Sequence, residues 1–508
     1  MKPGDYRREY AAYHMAFERA RFDYFSGAAD ELRLAPLADR YADLWTREAV
    51  AALERADDET PAQFETERAA LRELLRAARL GYAEARAGDT ARELGFCEAA
   101  AAVEDNSVRV PLDGVPEIIA REAEFERRRE LLARWLDSLR ACDDLRAAKL
   151  EALDDAARVL GFERHSLLLA ESAEEDEDNL TAAVEVFLRQ TEQAYQTGLA
   201  AWATRLQLDL RRLTYADELL FPRLEHLDRF FPARDLLATY RDALAGLGVR
   251  VERQPNLQIV ALASPSVSFP AVACLPLSPP EDVRLLYRAQ DDGALLYRDF
   301  FHEAGRAQHF AWASVSLAAR YPELIRPPVA RLTGEGHAFL FSYLLLDAKW
   351  IGEYRGVREV EARDIARAFA LVELHNVRRC CAALRYERQS ARTMNDPRSE
   401  VLSEFYETAH REATGFEHPA ALRLFEINAS APAAAQLRAR LFAAAAHEHF
   451  RTCYGRRWWA SRAAGDELID MWNTASRHTL EELAALIGFG ALDIELLAES
   501  LLRALREG

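Results

Sequence analysis

From residue 1 to about residue 245, apolar side chains recur three and four positions apart, as in Ala69–Ala83 and Leu180–Leu206, with few glycines or prolines to interrupt them. That spacing gives each segment one apolar stripe and predicts a stack of amphipathic helices. Each stripe has to be covered by another, and 508 residues with 50% hydrophobic side chains are ample for a large shared core. The acidic run ESAEEDED at 171–178 reads as a solvated loop or helix start, because like charges gain nothing by packing together.

Between Gly248 and Gln290 the pattern changes to short β-branched and apolar pieces broken by proline, which predicts one small sheet over 250–290. Helix resumes at about Ala294 and is expected to run over 294–320. Breaks follow at Pro322, Pro327, Pro328, Gly415, Pro419 and Pro432, with two or three closing helices over 465–507. The change of pattern suggests a helical lobe over 1–245 and a second lobe over 246–508. The fold class expected is mainly α with one small sheet.

Lys and Arg number 65 against 83 Asp and Glu, a net charge of −18, and the arginines are scattered through acidic helices. Phosphate binding needs clustered, uncompensated positive charge, so nucleic acid is a poor partner for this chain. The charged start MKPGDYRREY lacks the apolar core of a secretory signal, and no segment offers 18 uncharged apolar residues. A soluble, cytoplasmic protein with no membrane partner is expected. Six cysteines without a CxxC pair argue against a disulfide framework or a cysteine zinc knuckle and read as buried thiols.

One segment carries chemistry. Tyr297–Phe310 is helical in pattern and contains His302-Glu303-Ala304-Gly305-Arg306, where a zinc-peptidase helix would carry H-E-x-x-H. In the full motif, two histidines four apart ligate one zinc and the glutamate polarises its water. Arg306 stands at the second ligand position, and a guanidinium has five donors and no lone pair. His309 lies about 10 Å of helical rise from His302, too far for both to share an ion, and is expected to pack or to hold a hydrogen bond.

Upstream lies the strand-like ACLPLSPPEDVRLLYRAQ, and downstream RLTGEGHAFLF with Glu335 and His337; near the end comes YGRRWW. This order over residues 250 to 490 resembles the gluzincin metallopeptidases of the thimet oligopeptidase and oligoendopeptidase F type, and more distantly the angiotensin-converting-enzyme type. The resemblance implies a zincin-like two-lobed helical clamshell, a short sheet lining a cleft, and peptide cleavage by a zinc-activated water. It matches His302 to the first zinc ligand, Glu303 to the general base and Glu335 to the third ligand. It also sets Tyr287 and the strand edge Cys274–Pro280 beside a bound peptide.

Two departures go together. Besides Arg306, no tyrosine occurs between Tyr406 and Tyr454, where the family usually places oxyanion-stabilising tyrosines; PAAAQLRARLF (432–442) stands there instead. Without zinc, Arg306 can neutralise Glu303 and Glu335 by charge-assisted hydrogen bonds, although Glu303 and Arg306 three apart can also be a plain helix pair. The expected protein is a peptidase-like pseudoenzyme that binds peptides or a protein partner in the cleft, with zinc absent or weakly held. The alternative is an active metallopeptidase with an unusual ligand set, in which a helix distortion brings His309 or His337 to the ion, or a single Arg306 substitution on an otherwise working scaffold.

His337, two residues past Glu335, is expected to make a polar contact. His375, His410, His418, His447 and His449 read as scattered, and Asn376 and Arg378 beside His375 as helix surface. Phe339, Phe341, Tyr343, Trp350, Trp458 and Trp459 read as core packing.

Overall fold

The computed structural model describes residues 1–105, 108–172, 177–263, 269–289, 293–326, 329–392, 397–429 and 432–507. Residues 173–176 of the acidic run and 264–268 of the expected sheet region lie outside these. The chain divides into two compact units: Met1–Tyr82 with Leu224–Ala370 and Arg438–Gly508, and Ala83–Arg223 with Leu371–Leu437. This division differs from a break near residue 245, for a packing reason. The helix Pro3–Phe25 sets Phe22, Tyr24 and Phe25 against Phe269, Leu275 and Leu277, so the N-terminal segment shares a core with the sheet region.

The first unit holds a three-stranded sheet of β3 (Leu257–Leu262), β4 (Val272–Ser278) and β5 (Asp282–Arg288) in the order β3-β5-β4. β3 runs parallel to β5 with Ile259 opposite Leu285, and β4 runs antiparallel to it with Cys274 opposite Leu285. Pro276 cannot donate to a ladder, and the register shifts between it and Ser278; such a residue is tolerated here because β4 is an outer strand.

Against β4 and β5 packs the helix Ala294–Ala311, and against that helix packs Val329–Ser342. The first of these is apolar almost all round: Leu296, Tyr297, Phe300, Phe301, Ala304, Ala307 and Phe310 are buried. Its start is defined by Gly293, at φ 98°, and by Asp228, whose Oδ1 accepts from the Ala294 N–H at 2.9 Å. It ends at Ala311, and Val315–Arg320 forms a separate short helix within the expected 294–320 run. Three helices close the chain, Arg462–Asn473, Leu480–Leu486 and Ile494–Glu507. The six aromatics expected in the core are buried.

The second unit is helical around a core that includes Val103, Val110, Ile119, Leu131, Trp135, Tyr215, Tyr386 and Tyr406. It also contains a second small sheet that sequence reading missed, the antiparallel pair β1 (Val103–Asp105) and β2 (Val108–Val110). The signal was present as two Val-flanked triplets separated by two residues, a hairpin spacing lost inside an otherwise helical stretch. The expectation of six unpaired buried thiols fails in this unit. Cys97 and Cys142 form a disulfide with Cα atoms 5.9 Å apart, joining positions 45 residues distant that no local spacing pairs. In the first unit Cys453 is exposed. Among the described residues no helix is long and apolar enough to cross a membrane.

Candidate functional site

Two helices meet through glycine. A Cβ at Gly305 would lie 2.5 Å from the carbonyl oxygen of His337 and 3.0 Å from the Cα of Ala338, so the helices Ala294–Ala311 and Val329–Ser342 touch backbone to backbone there. That approach brings His302, Glu303 and Arg306 of one helix within reach of Glu335 on the other, 29 to 33 residues away in sequence.

The contacts form a closed set. His302 Nε2 lies 3.2 Å from Glu335 Oε2. Arg306 donates to Glu303 Oε2 at 3.2 Å and to Glu335 Oε1. Glu303 Oε2 also accepts from the Cys274 N–H at 2.9 Å, which ties the carboxylate to outer strand β4. These side chains are only 15–21% exposed. Burial opposes the charge on Arg306, but Glu303 and Glu335 outweigh it and hold the guanidinium above its ordinary pKa. Burial, followed by Glu303, pushes the Cys274 thiol well up, so it is no nucleophile.

The arrangement does not fit a zinc ion. The Arg306 guanidinium bonds to both carboxylates, leaving His302 as the one imidazole in the set. His309 and His337 do not replace the missing donor. Both are buried, their rings stack on each other with centroids 5.1 Å apart, and no ring nitrogen of either has a hydrogen-bond partner among the described residues. His309 therefore packs, and the polar contact expected for His337 is absent because apolar neighbours such as Phe442 and Trp472 surround it. Burial, then Arg306, lowers His309 to about 4, and burial, then His309, lowers His337 well below its ordinary value. Both imidazoles are neutral packing elements behind the site.

The segment at the place of the family's tyrosines contributes a cation. Arg440, on the helix Ala433–Tyr454, lies over the Phe339 ring at 3.9 Å, and Phe339 lies edge-on to His302 at 4.8 Å. Sequence reading singled out that segment but not Arg440; an arginine in an alanine-rich helix otherwise buried was the available signal. Tyr287 lies elsewhere than expected. It belongs to the central strand β5, is 8% exposed and packs edge-on against Phe300 at 5.7 Å, so it is a core residue. Of the expected peptide-side edge, β4 is the outer strand that bears on the site.

No protein-family sequence model matches the chain, and no curated protein matches it by sequence. Solved structures match it along its length. A carboxypeptidase from Pyrococcus furiosus superposes with a TM-score of 0.62 at 15% identity, over 98% of this chain and 97% of that one. The M32 carboxypeptidase of Deinococcus radiodurans R1 gives 0.58 at 14% identity, over 98% and 97%. A structure named as an oligoendopeptidase F gives 0.65 at 12%, over 98% and 90%. The chain shares the mainly helical fold of these peptidase structures. Within that fold, the chain's H-E-A-G-R helix is the one packed on the sheet and on the Glu335 helix.

Histidines that read as scattered are partly gathered elsewhere. His447 is buried beside Trp458, and His449 Nε2 is held 2.7 Å from Glu467 Oε1. His375 and Arg378 are 2% and 0% exposed, not surface residues, because the helix Glu359–Arg392 is buried on that face in the second unit. Among the described residues, three donor atoms close enough to share an ion occur only at His410, His418 and Glu426, also in the second unit.

Proposed function

We propose that this protein is a peptidase-like binding protein rather than a peptide hydrolase, with peptides or a peptide segment of a partner protein as its ligand. The observation that carries this is Arg306, at the second ligand position and bonded to both Glu303 and Glu335. Hydrolysis on a zincin scaffold needs a metal-activated water, with Glu303 as the general base beside it. Here Glu303 Oε2 accepts from Arg306 and from the Cys274 amide. Glu335 is turned to the guanidinium as well. The guanidinium supplies the positive charge that two neighbouring carboxylates require, and no activated water follows from it. Peptide binding is supported by the peptidase fold and by β4, an outer strand able to pair with an extended chain.

The test compares native protein, Arg306→His and His302→Ala after equal exposure to zinc. Arg306→His is expected to carry one more zinc per chain than the native protein, and adding His302→Ala should remove that increment. The native protein should cleave no member of a mixed peptide library in a chelator-sensitive way. Chelator-sensitive cleavage abolished by His302→Ala would overturn the reading in favour of an active metallopeptidase.

A further inference from the structure

The second unit brings together residues spaced eight apart in sequence. His410 is on the helix Glu400–Thr414, Gly415 at φ 77° turns the chain, His418 follows the turn, and Glu426 is on the helix Arg423–Ala429. One donor atom from each of the three lies within 4.8 Å of the others. His418 Nε2 is 3.6 Å from Glu426 Oε1. Two ligands about 2.1 Å from a tetrahedral ion stand roughly 3.4 Å apart, so this pair is at ligand spacing while being long for a hydrogen bond.

The surroundings favour an ion over a plain polar cluster. His418 Nδ1 lies 2.9 Å from Glu218 Oε2, a carboxylate 2% exposed, and its other ring nitrogen, Nε2, faces Glu426. Tyr406 donates to Glu426 Oε2 at 2.5 Å and so directs Oε1 toward His418. His410 is 2% exposed, and neither of its ring nitrogens has a hydrogen-bond partner among the described residues. Unlike His309 and His337, His410 has a carboxylate as well as a second imidazole within 4.8 Å, so its lone pair has an ion-binding set to complete. Arg379 lies beside the group, 3.4 Å from Glu426 Oε1 and 3.2 Å from Glu218 Oε1. Unlike Arg306 it takes no ligand's place, since two imidazoles and a carboxylate still converge.

We propose that His410, His418 and Glu426 bind one divalent transition-metal ion of borderline softness, zinc above all, inside the second unit, with Glu218 as the residue that positions His418. Two imidazoles and one carboxylate suit such an ion and leave a fourth position for water. The surroundings are buried, so the ion's role is structural: it pins the helix Glu400–Thr414 to the turn and helix that follow it. The site uses no residue of the first unit and does not depend on the pseudopeptidase reading.

The experiment is zinc binding to the full-length protein, stripped with chelator, re-exposed to zinc alone and desalted. Native protein and His302→Ala are each expected to hold one zinc per chain and to melt at a higher temperature with it than without. His410→Ala and Glu426→Gln should lose the ion, and Glu218→Gln should bind it roughly 10- to 100-fold more weakly while keeping the fold. If the two ligand variants do not fold, His302→Ala and Glu218→Gln decide the matter. No zinc on folded His302→Ala, zinc that survives in folded His410→Ala, or an unchanged affinity in Glu218→Gln overturns the proposal.

Discussion

Each unit of this protein assembles a cluster from the same three side-chain types, imidazole, carboxylate and guanidinium, and the two clusters differ in where the guanidinium stands. In the first, Arg306 projects from the helix Ala294–Ala311, and both carboxylates of the set turn toward it. In the second, Arg379 donates to Glu426 Oε1 and shares Glu218 with His375 and His418, but it bonds to one carboxylate of the ligand set only, and His410, His418 and Glu426 still face one another. A cation bonded into the set fills the electrostatic role of a metal and removes its coordination chemistry. A cation bonded to the carboxylate alone balances charge and leaves both imidazoles of the set their lone pairs.

The largest test of this contrast is removal of the two arginines. Arg306→Ala leaves Glu303 and Glu335 close together without their counter-ion and is expected to cost about 4 kcal/mol in urea denaturation. Arg379→Ala should cost only about 1 kcal/mol, because the Arg379 side chain is 36% exposed and Glu218 keeps His375 and His418. Equal losses would show that Arg306 is an ordinary member of an ion-pair network.

The next effect tests the helix contact that makes the first cluster. Gly305→Ala places a methyl against the His337 carbonyl and is expected to destabilise by about 3 kcal/mol, loosening the bond between Arg306 and Glu335. A neutral outcome would mean that the two helices separate without penalty.

The smallest effect is a pH dependence behind the first cluster. His309 is lowered from 6.5 to about 4, by burial and then by Arg306, so the folded state holds it neutral. Above pH 6.5 its contribution to stability is fully present. As pH falls from 6.5 toward 4 the unfolded chain takes up a proton that the folded chain refuses, and about 2 kcal/mol should be lost. The same titration on His309→Phe should show a shallower acid limb; an unchanged limb would assign the loss to other groups.

The fold was legible in particular places. The three-and-four spacing of the first half, the proline-broken strands near 257–288 and the motif helix starting at Ala294 all appear in the structure, since periodicity and breakers act over a few residues. The pairing of His302 with Glu335 was reached through resemblance, and the contact of Arg306 with both carboxylates through charge. Tyr287 was misplaced because a strand's rank in its sheet depends on which strand flanks it: β5 lies between β3 and β4, although it comes last in sequence. The strand pair β1–β2 and the Cys97–Cys142 disulfide were lost among helices for a related reason, one too short to show a period and the other too long-range to show a spacing.

Residue order alone determined that the chain is mainly helical, that one helix carries His302 and Glu303, and that its second ligand position holds a group with no lone pair. These are properties of single residues and of neighbours within a turn or two. Only the tertiary structure decided that Arg306 spans both carboxylates rather than forming a plain helix pair with Glu303, that His309 and His337 pack behind them, and that His410, His418 and Glu426 converge. Coordination and hydrogen bonding act over about 3 Å. Whether residues 8, 16 or 33 positions apart come that close is set by turns, by glycine-permitted helix contacts and by the burial of shared apolar faces.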